Sequence, residues 1–182
     1  MAGLHQMEKG KYNKAIEILS RGFEYPDNHQ VFLVDKRTPR DAQLYFYLAE
    51  AYGKMGLPDK AAVCRSKAAD VNTKDGDCDF WKAQTIKKSG LNDKADSLFR
   101  RLIERGKAAV VADVVNFYGA EGTTGATVND VNAGAYYTQA LGEIGLGNYQ
   151  AARELLRKSL QLRKSLLWSK VMLQYCMSHK KL

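Results

Sequence analysis

The sequence comes nearest to chemistry in its glycine-rich and carboxylate-rich strings, and each needs a particular setting to act. Gly142, Gly145 and Gly147 (GEIGLG) are spaced somewhat like a loop that cradles phosphate. That fingerprint requires a strand before it and a helix N-terminus after it, so that backbone N–H groups converge on the anion. The run Tyr136–Ile144 reads instead as helix, with Gly147 at its end and Ala140 and Gly142 as small residues at a close helix contact. A second stretch, Gly119–Asn132 (GAEGTTGATVNDVN), has glycines and hydroxyls but lacks the lysine such a loop uses against phosphate. It is expected to be a surface loop, or a cap over the neighbouring hairpin.

Carboxylates and thiols fare no better. Asp75, Asp77 and Asp79 alternate as in a calcium loop, yet the twelfth position counted from Asp75 is Ile86, where the loop needs a bidentate glutamate. They stand just before a predicted helix opening at Phe80, where acidic groups favour exposed N–H groups and the positive end of the dipole, each by about 0.3–1 kcal/mol. Asp59 and Asn92–Asp93 have the same role at the starts of later helices. Cys64, Cys78 and Cys176 form no CxxC pair, and His5, His29 and His179 are scattered, so no metal set is expected. Cys64 and Cys176 fall in predicted helices, where a thiol is a small buried hydrophobe. No Ser/His/Asp or Cys/His set is supported by local sequence. The expectation is a chain with no enzyme activity, no cofactor and no metal.

Charge is the one compositional feature with a bearing on partners. The formal net charge is +8, and Arg153, Arg157, Lys158, Arg163, Lys164, Lys170, Lys180 and Lys181 crowd the last stretch against Glu154 alone. A basic end of this kind could meet nucleic acid or an anionic surface. The leucines between them follow a helical period, and only Trp168 and Tyr175 are there to stack on bases. A solvated helix face or docking patch is preferred, and nucleic-acid binding ranks well below it. No run approaches the roughly 18 apolar residues a membrane-spanning helix needs. The first residues lack a signal-peptide core, and a cytoplasmic location is the expectation.

The elements that position these residues are helices. Four times a glycine is followed five residues later by an alanine: Gly10–Ala15, Gly56–Ala61, Gly90–Ala95 and Gly147–Ala152. A glycine ends one helix in a conformation that other residues resist. The alanine then sits where a second helix crosses the first too closely for a larger side chain. Around the second copy, Tyr45, Leu48, Ala49 and Tyr52 precede Gly56, and Ala61 and Ala68 follow it. The spacing is i, i+3, i+4, i+7, then a tight turn, then a second helix with small residues at its contact. The three prolines, Pro26, Pro39 and Pro58, all fall at predicted helix boundaries.

These helical hairpins resemble the tetratricopeptide repeat family, whose units are antiparallel helix pairs of about 34 residues. The best copies are Ala42–Val71, Phe80–Arg105 and Ala135–Leu162, with a shorter one at Ala2–Phe23. Two features depart from the pattern: Arg65 stands where the second copy should carry an aromatic, and only the interval from Gly56 to Gly90 has the family's length. The excess falls into inserts at about 25–40 and about 106–134, and a capping helix is expected at about 165–179. Strings such as FWKAQTIKKSG, LFRRLIERG and YYTQALGEIGLGNYQAA look like a narrower group. That group is the C-terminal repeat region of large bacterial proteins with an N-terminal β-rich domain of uncharacterised function. On that resemblance, and because its first hairpin is short, the chain is expected to be a piece of a longer protein.

The family resemblance implies one all-α domain, a right-handed superhelix of hairpins that displays a concave groove lined by the first helix of each pair. It implies a partner-binding role toward a protein or peptide ligand, or toward another domain of the parent chain. In the family's register the groove positions are Phe46, Glu50 and Lys54, then Phe80, Gln84 and Lys87, then Tyr137 and Leu141. The same aromatics could instead pack against the next hairpin. The lysine and asparagine set of the family's carboxylate clamps is absent in this register, which counts against a carboxylate-terminated ligand. The alternative function is an accessory region that packs against a catalytic or carbohydrate-related domain of the same chain.

Overall fold

The computed structural model describes residues 2–24, 39–71, 76–112 and 127–178. Among them the regular structure is all helical: α1 (Ala2–Glu8), α2 (Tyr12–Ser20), a 3-10 turn (Arg21–Phe23), α3 (Pro39–Lys54), α4 (Pro58–Asp70), α5 (Gly76–Lys88), α6 (Asn92–Ala108), α7 (Val128–Leu146), α8 (Tyr149–Leu162) and α9 (Leu167–Ser178). The chain divides into two compact units, Met1–Ala95 and Asp96–Leu182, with the division inside α6.

One backbone device makes every hairpin turn. Gly10, Gly56, Gly90 and Gly147 have φ of 69°, 71°, 84° and 83°, and they are the only described residues with positive φ. In each case the N–H after the glycine donates to the carbonyl four residues before it: Lys11 to Gln6 (2.9 Å), Leu57 to Tyr52 (3.0 Å), Leu91 to Ile86 (3.2 Å) and Asn148 to Glu143 (2.9 Å). This bond pattern satisfies carbonyls that a helix end would otherwise leave open. The residue after the glycine then starts the next helix, and its carbonyl accepts from the alanine N–H: Lys11 from Ala15, Leu57 from Ala61, Leu91 from Ala95 and Asn148 from Ala152, all at 3.0–3.1 Å. The five-residue spacing is therefore the length of one helix stop plus one helix start. All four alanines are 0% exposed, so no larger side chain fits there.

In the first unit, α2 packs on α1 and α3, and α3 packs on both α4 and α5. Leu19, Leu48, Ala49 and Cys64 are buried together, with Met7, Ile16, Phe23, Leu44, Tyr45, Tyr47 and Tyr52 packed around them. In the second unit, α7 packs on α8, and α8 on α9. Phe99, Leu102, Leu141 and Leu156 are its largest fully buried apolar side chains. Helix α6 lies against α7 at backbone range. A Cβ at Gly142 would stand 2.5 Å from the Phe99 carbonyl oxygen, one at Gly106 2.7 Å from that of Ala135, and one at Gly145 would run into the Phe99 ring. The glycines that look like a phosphate loop are thus close helix contacts and, at Gly147, a helix stop.

Three helices begin earlier than apolar periodicity places them: α3 at Pro39 rather than Ala42, α5 at Gly76 rather than Phe80, and α7 at Val128 rather than Ala135. Asp79 accordingly lies inside the first turn of α5, while Asp75 falls outside the described residues. The loop reading of Gly119–Asn132 is corrected for Val128–Asn132, which is helix. The reason is a capping box. Thr127 Oγ1 accepts from the Asp130 N–H (3.1 Å), and Asp130 Oδ2 accepts from the Thr127 N–H (3.1 Å) and its hydroxyl (2.8 Å). Polar residues that cap a helix carry no hydrophobic period, so a reading keyed to that period passes over them. Tyr25–Thr38 and Asp113–Ala126, which hold most of the expected inserts, lie outside the described residues.

Candidate partner-binding site

Helices α3 and α5 carry five of the eight groove positions in accessible form. Phe46, Glu50, Gln84 and Lys87 are partly exposed and Lys54 is exposed. Phe46, Glu50 and Lys54 succeed one another at intervals of four, which puts them on one face of α3. Across the α3–α5 contact, the Trp81 ring centroid lies 5.1 Å from that of Phe46 and 5.0 Å from that of Tyr47. Phe80 meets Trp81 edge-on at 4.9 Å and 74°. Such tilted aromatic pairs add about 0.5–1.5 kcal/mol beyond area burial. Beyond the rings, Lys88 Nζ stands 3.3 Å from Glu50 Oε2, with side chains 53% and 30% exposed. Solvent screening limits a pair this open to about 0–1 kcal/mol. The face offers half-covered aromatic edges with charges of both signs at its rim.

The other three positions are core. Phe80 is 3% exposed, Tyr137 8% and Leu141 1%, so none presents a surface to a ligand. Phe80 is buried with its ring against that of Trp81 on the same helix. For α7 the cause is its position: α8 packs along it, α6 meets it at Gly142 and Gly145, and Asn129 is its only exposed residue. A helix covered on several sides has no free stripe for a partner. Sequence reading missed Tyr47, Trp81 and Lys88. The interval of seven from Trp81 to Lys88 puts them on one face of α5, but their partners on α3 are some forty residues away, where no local signal reaches.

The basic end is partly engaged within the chain. Arg153 Nη1 donates to the Cys176 carbonyl (3.1 Å) near the C-terminus of α9, and Nη2 to Gln150 Oε1 (2.7 Å). A cation there satisfies an open carbonyl and opposes the negative end of the dipole. Lys158 Nζ lies 5.8 Å from the Tyr136 ring centroid, and Arg163 Nε 3.5 Å from Asp130 Oδ1. Arg157, Lys164 and Lys170 are exposed. Lys180 and Lys181 fall outside the described residues.

All three thiols are buried. Burial pushes Cys64 up from its ordinary value and Cys176 up to about 11, the nearby Arg153 opposing the latter shift. Both are therefore protonated at neutral pH and poor nucleophiles. Among the described residues no group of three or more His, Cys, Asp or Glu could hold a metal ion, and no helix is long and apolar enough to cross a membrane.

The profile of the tetratricopeptide repeat family matches residues 133–166, a span that takes in most of α7 and all of α8. The chain carries a tetratricopeptide repeat. The other three hairpins reproduce the turn geometry of that repeat bond for bond. Two solved structures are similar to this chain. The crystal structure of MamA is 16% identical, with 98% of this chain and 84% of that one covered at a TM-score of 0.32. The NMR structure of the first TPR domain of the human RPAP3 protein is 15% identical, with 78% and 93% covered at 0.33. No curated protein matches the chain.

Proposed function

We propose that this tetratricopeptide-repeat chain is a non-catalytic protein-interaction scaffold, and that its partner is a protein or peptide. That partner is either a separate molecule or another domain of a longer bacterial chain. The observation that carries the reading is the α3–α5 face, where the partly exposed Phe46 and Tyr47 lean on Trp81 beside Glu50, Lys54 and Lys88. Aromatic edges set in a rigid helical pair supply contact area at little cost in conformational entropy. The charges at the rim set register and orientation more than affinity. Binding of this kind needs a fixed shape, with no nucleophile or shifted acid in it.

The test compares the intact chain with a F46A/E50K/K54E variant as affinity baits under identical conditions. The expected result is a defined partner retained by the wild-type chain and lost from the variant, with unchanged circular dichroism and melting temperature. Equal retention by both baits, or retention by neither, overturns this assignment of the face.

A further inference from the structure

We draw no further inference here: the strongest candidate, the exposed apolar side chains of Leu167 and Met177 on the last helix, is a surface patch, and nothing in the structure shows what covers it.

Discussion

Gly56 and Gly145 show how differently a single residue type can act. Gly56 has φ of +71° and nothing within 4 Å of where a Cβ would stand. Gly56→Ala should therefore lose only backbone energy, about 1–2 kcal/mol, and Gly56→Asn less, because asparagine tolerates the left-handed region. Gly145 has no backbone strain but no room either: an added Cβ would run into the Phe99 ring. Gly145→Ala should cost about 1–3 kcal/mol as overpacking, and Phe99→Leu in the same chain should give a double variant less destabilised than the sum. Urea denaturation of the single and double variants separates the two cases; strict additivity at Gly145 and Phe99 would refute the steric account. Thiol chemistry gives a further check at this scale. With its pKa pushed up to about 11 by burial, Cys176 should resist a thiol reagent at pH 8 in the folded chain and react promptly in denaturant.

Helix ends and helix seams decide how the elements hold. At the start of α7, hydrogen bonds from the Thr127 hydroxyl and backbone hold the Asp130 carboxyl below its ordinary value, with Arg163 adding a smaller effect in the same direction. A carboxyl whose pKa is lower in the folded chain stabilises it above the unfolded value, and that contribution disappears as pH falls through the folded value. Acidification below about pH 4 should therefore loosen the first turn of α7. Asp130→Asn should remove this part of the acid response, as read by amide exchange of Val128–Val131 between pH 3 and 6. Thr127→Ala should cost about 1 kcal/mol, the usual loss of an N-cap.

A different device joins α7, α8 and α9. Ser159 Oγ donates to the Ala133 carbonyl (2.8 Å) and lies 2.9 Å from Ser169 Oγ, with both serines 0% exposed. Ser159→Ala takes this partner from the buried Ser169 hydroxyl and removes the extra donor to the Ala133 carbonyl, and should cost about 1–3 kcal/mol. Asn132 clamps the chain leaving α6 in a similar way, its side chain accepting from the Val111 N–H (2.8 Å) and donating to its carbonyl (2.9 Å). Neither device leaves a trace in hydrophobic periodicity.

In the whole molecule, hairpins that each contact their neighbours should make stability a local sum rather than a single global quantity. Ser159→Ala should then lower hydrogen-exchange protection through α7, α8 and α9 while α1, α2 and α3 keep theirs. Uniform loss of protection along the chain would show one cooperative block instead. What the residues by themselves determined is the hairpin plan: a glycine in the left-handed region and an alanine five positions on are local requirements of φ, ψ and one hydrogen-bonded turn. Gly10, Gly56, Gly90 and Gly147 could be read directly for that reason. Which side of each helix stays open was decided only by tertiary structure. Phe46 and Phe80 occupy equivalent positions in their hairpins, yet one is partly exposed and the other is core, and Tyr137 and Leu141 vanish beneath neighbours. Burial is a sum over every neighbouring helix, and residues distant in sequence contribute most of it.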